Sequence, residues 1–295
     1  MKDEEKRMSF SGIDVKMGDL NKPLIHFKTN TGKVFRHIAN MLHSNFTTAT
    51  MIIVEQGIFI QEAYEKNVIF ECRLESDKFL TYKIPEIKKK KEGEEEDSPS
   101  FLVIGFNTLN FKKSLEKVGV SDTLDIYIHP SNTSICNVRV SKGATASLEK
   151  TFSLVKTSIC EVVPPPYIDY LPTTTVLGSV FKAGIGSITK SKNTIVLVSA
   201  QKNAVSIKDQ SSKISQDGCK LGTWDENAPI ICSYNISLTR LASFVEVHSI
   251  STKETIRIYA LPNLPLRLAA NAGGLGVINM YFDSIQPAAN NIIGQ

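Results

Sequence analysis

A chain of 295 residues, 42% hydrophobic and 22% charged, has the composition of a folded globular protein and is long enough for two domains of ordinary size. Its net charge of +4 and sequence pI near 8.6 permit a nucleic-acid partner without demanding one, because neither a basic tail nor a dense arginine patch is present. The five cysteines (Cys72, Cys136, Cys160, Cys219 and Cys232) are odd in number and widely spaced, with no CxxC pair, which argues against a disulfide framework or a zinc site.

The N-terminus, MKDEEKRMSF, is charged, so no signal peptide is expected, and no apolar run approaches the roughly 20 residues that span a bilayer. Reduced thiols in a cytosolic or nuclear setting, not the secretory route, are the expected reading. Residues 1–22 show no periodic apolar face and read as a flexible extension. Residues 33–44 place Val34, Phe35, Ile38, Met41 and Leu42 on one helical face, with Lys33, Arg36, His37 and Asn40 largely on the other. Thr48–Glu62 then reads as a hairpin turning at Gly57, and Val68–Leu74 as a further strand. KKKKEGEEEDSPS (88–100) cannot bury apolar surface, and 86–100 reads as a mobile charged loop. Phe101–Phe106 resumes as a strand, Phe111, Leu115 and Val118 mark a short helix, and Thr123–Ile128, Ser134–Val140 and Thr151–Thr157 read as strands.

SICEVVPPPYIDYLPT (158–173) is the candidate linker, stiffened by Pro164–Pro166 and unusually apolar for a passive connector. The plan then repeats. A helix over Ser179–Lys190 precedes a hairpin at 194–208, a polar stretch at 209–227 and a strand at Pro229–Tyr234. A helix over Leu238–Val247 and strands at Thr255–Ala260, Pro265–Ala270 and Gly276–Phe282 complete it. The offset between copies is about 130–145 residues, which suits two similar tandem domains and is far too long for a solenoid. The expected division is an extension at 1–22, domain one at 23–157, a linker at 158–173, domain two at 174–288 and a tail at 289–295.

No catalytic constellation emerges. The five histidines form no HxxxH, HExxH or Cys/His cluster, so no metal is expected. Asp122 and Asp125 are explained by a turn and by solvation. AGGLG (272–276) lacks the lysine and hydroxyl of a phosphate loop and reads as a hairpin turn. No GxSxG occurs. A binding or scaffold protein, with no cofactor and no enzymatic activity, is the expected class.

Four segments resemble the two-domain protomer of DNA sliding clamps of the proliferating cell nuclear antigen (PCNA) type. They are TTATMIIVEQGIFIQEAYEKNVIFECRL (47–74), LVIGFNTLNFKKSLEKVGVSDTLDIYI (102–128), LPNLPLRLAA (261–270) and GVINMYF (276–282). Their order and spacing carry the resemblance, which covers roughly 23–288. It implies an α+β fold of two tandem similar domains, with antiparallel sheets outside and helices lining a central channel. It further implies a homotrimer around double-stranded DNA, held through phosphates without sequence readout. Partners would be DNA polymerase, other replication and repair proteins and a clamp loader. The divergence, with the N-terminal segment and the charged insert, points to a large DNA virus as source.

Position by position, the resemblance assigns DNA contact in the channel to Lys33, Arg36, His37, His43, Lys112, Lys113, Lys117, Lys182, Lys190, Lys192 and Arg240. Gly186, Glu116 and Glu246 stand where the family tends to carry basic residues. A partner-peptide pocket under the linker is assigned to Ala63, Asn67, Val68, Val162, Val163, Ile168, Pro265 and Tyr281. Ala63 and Asn67 depart from the family's Met and His. Ring closure would pair about 151–157 with about 211–220 of the next subunit. Two other readings stand beside this one: a clamp-fold scaffold or transcription-associated factor that does not encircle DNA, and a β-rich virion structural protein.

Overall fold

The computed structural model describes residues 7–10, 13–16, 22–64, 67–85, 101–143, 146–156, 170–188, 195–209, 218–250 and 253–285. The insert at 86–100 and most of the linker lie outside them. Two short strands, β1 (Arg7–Phe10) and β2 (Ile13–Lys16), pair antiparallel with Arg7 opposite Lys16. They fall within the segment expected to be a flexible extension. Met8–Phe10 and Ile13–Val15 each alternate apolar and polar residues, a strand period in runs too short to stand out.

The chain forms two compact units. Unit 1 takes Met1–Gln61, Cys72–Cys160 and Gly274–Gly276, and unit 2 takes Glu62–Glu71, Glu161–Gly273 and Val277–Gln295. Unit 1 is built from β3 (Ile25–Thr29), α1 (Gly32–Asn45), β4 (Thr48–Val54), β5 (Gly57–Tyr64), β6 (Val68–Glu75) and β7 (Thr81–Lys83). It continues with β8 (Leu102–Asn107), α2 (Thr108–Leu115), β9 (Thr123–His129), β10 (Asn132–Lys142) and β11 (Ala146–Val155). Its strands run β6–β5–β4–β8–β11–β10–β9–β3–β7 across the sheet. Unit 2 contains β12 (Thr174–Leu177), α3 (Gly178–Ile188), β13 (Ile195–Gln201), β14 (Ala204–Asp209) and β15 (Cys219–Gly222). After these come β16 (Cys232–Ser237), α4 (Leu238–Ser243), α5 (Glu246–Ile250), β17 (Thr255–Tyr259), β18 (Leu266–Asn271) and β19 (Gly276–Phe282). Its sheets are ordered β12–β17–β18–β19–β6 and β15–β14–β13–β16.

The duplication read from sequence is a duplication of pairing. The β3–β9 ladder has its counterpart in β12–β17, and β4–β8 in β13–β16. The β9–β10–β11 meander likewise corresponds to β17–β18–β19. Strands such as β3 and β15 alternate buried and more exposed residues, as strands with one face packed do.

Helix α1 buries Val34, Phe35, Ile38, Ala39, Met41 and Leu42, the 3.6-residue stripe expected of it. Helix α2 starts where the Asn107 side-chain oxygen accepts the Asn110 N–H at 3.1 Å, an N-cap. Phe111 then packs on Phe106 and Phe152, with ring centroids 4.7 and 5.6 Å away. In unit 2, α3 has a thinner stripe of Phe181, Ile185 and Ile188. It compensates by close approach: a methyl group added at Gly184 would lie 2.0 Å from Cys219 Sγ on β15. The expected single helix over 238–247 is two short ones. Phe244, Val245, Val247 and His248 each donate to the carbonyl three residues back, the tighter 3₁₀ pattern.

Two glycines fix the end of β6. Gly57 (φ 152°) and Gly276 (φ 159°) sit so close that a Cβ at either would lie 1.9 Å from a β6 carbonyl, of Leu74 and Arg73 respectively. Backbone bonds from Ser76 to Gln56 (2.9 Å) and from Glu75 to Leu275 (2.8 Å) hold the same stretch. The AGGLG segment is the β18–β19 hairpin turn, as read from sequence.

Candidate functional site

The basic face lies on the helices of unit 1. Helix α1 presents Lys33, Arg36 and His43 half-exposed at helical spacing. Helix α2, packed beside it, presents Lys112 half-exposed and Lys113 exposed, and Lys117 follows in the turn. Two of the cations on this face are fixed in place. Arg36 Nη1 donates to the Val118 carbonyl at 2.7 Å, and Lys150 Nζ, from β11, donates to the Lys113 carbonyl at 2.6 Å. Both carbonyls belong to the C-terminal end of α2 and the turn after it, where the helix dipole favours positive charge. His43 Nδ1 lies 3.5 Å from Thr108 Oγ1. Burial, and then the Lys112 charge, hold its pKa below the usual 6.5, so at neutral pH the imidazole is uncharged.

His37 is corrected. It is 4% exposed, because it stands three residues after Val34 and four before Met41 and so falls within the buried stripe. Asp125 is corrected too. It is no solvated turn residue but is 6% exposed, with His26 Nε2 at 2.8 Å and Lys28 Nζ at 3.7 Å.

Unit 2 presents a different helical face. Around α3 the exposed residues are Ser179, Val180, Lys182, Ala183, Gly186 and Ser187, with one cation among them. Arg240, on α4, is not displayed singly: its guanidinium carbon sits 3.6 Å from the centre of the Tyr64 ring, a cation–π stack. Lys190 and Lys192 lie outside the described residues.

A second feature occupies the opposite face of unit 2. Ile69, Tyr259, Ala269 and Tyr281 form a buried apolar group, against which Ala63, Leu261 and Leu264 pack. Arg267 lies opposite both tyrosines in register, 4.7 Å over the Tyr259 ring and 5.8 Å over that of Tyr281. Its guanidinium donates to Asn279 Oδ1 at 3.2 and 3.0 Å, and Asn279 Nδ2 donates to Glu71 Oε1 at 3.0 Å. Of the expected pocket residues, Ala63 and Tyr281 are brought together here. Asn67 is held at the rim by its backbone, since its carbonyl accepts the Asp283 N–H at 2.9 Å. Pro265 stands half-buried just before β18. Val68 is corrected: it is buried, but strand alternation sends it to the other face, and Ile69 takes its place in the group. Val162, Val163 and Ile168 lie outside the described residues. The sequence reading missed Lys150, Ile69, Tyr259 and Arg267; only the alternation of β17 could have signalled Tyr259.

Nothing in the described residues suggests bond-breaking chemistry. No group of three or more His, Cys, Asp or Glu among them could hold a metal. Burial pushes the Cys219 thiol up to about 11 and the Cys136 thiol higher still, away from thiolate reactivity. No helix among them is long and apolar enough to cross a membrane.

No protein-family model matches the sequence, and no curated protein matches it. Solved structures do match. Proliferating Cellular Nuclear Antigen from Entamoeba histolytica superposes with a TM-score of 0.69 at 13% identity, over 89% of this chain and 99% of that one. The PCNA2–PCNA3 complex from Sulfolobus tokodaii gives 0.66 at 15% identity, over 88% and 98%. At such identities the likeness is one of fold, and the fold of this chain is that of the PCNA-type sliding clamps, as its sequence segments implied.

Proposed function

We propose that this chain is a DNA sliding clamp, a processivity factor that encircles duplex DNA and tethers DNA polymerase and other replication or repair proteins. The observation that carries the proposal is the helical face of unit 1, where Arg36 and Lys150 are held on carbonyls at the end of α2 beside Lys112 and Lys113. Cations positioned this way suit phosphates, whose spacing is independent of sequence. The partly buried Ala63, Leu261 and Leu264, packed on the buried Tyr281, Tyr259 and Ile69, suit apolar side chains of a short partner peptide. Ring closure as a homotrimer, with a loader to open it, follows from this reading. Two strands have an edge to offer: β15 pairs only with β14 among the described residues, and β11 meets β8 only at Leu154 and Val155.

Light scattering on the full chain tests it: the expected mass is close to three times 32.6 kDa. A chain that stays monomeric at tens of micromolar, and fails to stimulate a cognate polymerase, sinks it. A second reading, a clamp-fold scaffold that does not encircle DNA, is favoured by the sparse charge on the described α3 and α4 surfaces.

A further inference from the structure

Clamp-fold helices line up as two similar sets per chain, and equal sharing of the DNA between them would be the simplest expectation. The two sets are not alike here. On unit 1, three independent elements (α1, α2 and β11) bring cations to one patch, and two of those cations are fixed by hydrogen bonds to backbone carbonyls. Fixing a long side chain in advance reduces the conformational entropy lost when it meets a phosphate. Lys112 lies close enough to His43 for its charge, after burial, to help hold the imidazole's pKa down. On unit 2, α3 turns small and apolar residues outward around Lys182, and nothing lies within 4 Å of where a Gly186 side chain would stand. The one arginine of α4 is stacked on Tyr64. The positions equivalent by topology thus differ in how densely they carry positive charge.

We infer that unit 1 carries the main phosphate-binding face of this protein, and that the described helices of unit 2 form a sparsely charged wall that DNA passes without strong contact. The inference rests on the clamp reading and narrows it to one surface, with Lys150 as a phosphate contact that its position in a strand conceals. A ring of three chains would then hold the duplex at three separated patches, with a weak total grip suited to sliding.

The test is equilibrium binding of the full chain to a short duplex of random sequence, across roughly 50 to 200 mM salt. The slope of log K against log[salt] reports phosphate contacts at about 0.9 each. Lys112→Ala/Lys113→Ala should lower the slope by about two and Lys150→Ala by about one. Lys182→Ala/Arg240→Ala, the described unit 2 cations, should lower it by less than about half a unit. Gly186→Lys, placed in open space, should raise it by about one. If the unit 2 set costs as much slope as the unit 1 set, the inference falls and the clamp reading stands. If wild type shows no salt-sensitive duplex binding, both fall.

Discussion

The two units repeat one topology but reach stability and surface character by different means. Unit 1 packs α1 through a full stripe of large side chains, caps α2 with Asn107 and displays its cations outward. Unit 2 packs α3 partly by absence, with Gly184 pressed on Cys219, begins α4 without a side-chain cap bond and stacks its arginine on the Tyr64 ring. The lesson is that strand order is a weak constraint on chemistry. The same ladder tolerates a packed or a close-approach helix, and a charged or a neutral face.

Paired substitutions can break or sharpen this contrast, beginning with the cores. Phe35 and Phe181 are both fully buried on the first helix of their unit, and truncation of either to Ala should cost about 3–5 kcal/mol in denaturant unfolding. A cost under about 1 kcal/mol at either site would show that its helix does not hold its sheet as described. Next come the glycines of α3. Gly184→Ala should destabilise by about 1–3 kcal/mol through overpacking on Cys219. Gly186→Ala, one turn-face away in open space, should stabilise by about 0.5–1 kcal/mol. Equal effects at the two glycines would refute the close-approach account.

The caps give a smaller contrast. Asn107→Ala should cost about 1 kcal/mol, whereas Ser237→Ala, at the corresponding start of α4, should stay within about 0.5 kcal/mol. The smallest effect is in pH. His43 has a folded pKa below 6.5, so the unfolded chain takes up the proton first. Stability should therefore fall as pH drops through 6.5 towards the folded value, then level off. His43→Gln should flatten that part of the curve, measured as unfolding midpoint against pH, and an unchanged slope would contradict the environment assigned to His43.

Much of this was legible in sequence where periodicity was clean. The α1 stripe, the hairpin at Gly57, the α2 region and the β18–β19 turn all follow from spacing and glycine chemistry. The losses have physical causes. Val68, Ile69 and Phe70 are consecutive apolar residues, so period two gives no parity, and the outward residue could not be chosen. Residue type pulled His37 to the polar face although its helical position puts it inside. Cys219–Gly222 is a four-residue strand in a polar stretch, with only Cys219 and Leu221 to signal it. Pro229, Ile230 and Ile231 drew the next strand too early: it begins at Cys232, and both isoleucines are largely exposed. Lys150 was illegible for another reason, since its role depends on a carbonyl 37 positions away.

The clasp around the end of β6 bears on how the chain is made. Ser76 finds the Gln56 carbonyl almost at once as the polypeptide emerges, but Glu75 must wait for Leu275, about 200 residues later. At ribosomal speeds of about 5–20 residues per second, that delay is on the order of 10–40 seconds. Throughout it, the first half of the protein carries an open strand edge of the kind that invites pairing with other chains. The unit synthesised first is therefore completed only when residues 274–276 emerge, and a nascent or truncated chain ending before Leu275 exposes an edge that the longer one covers.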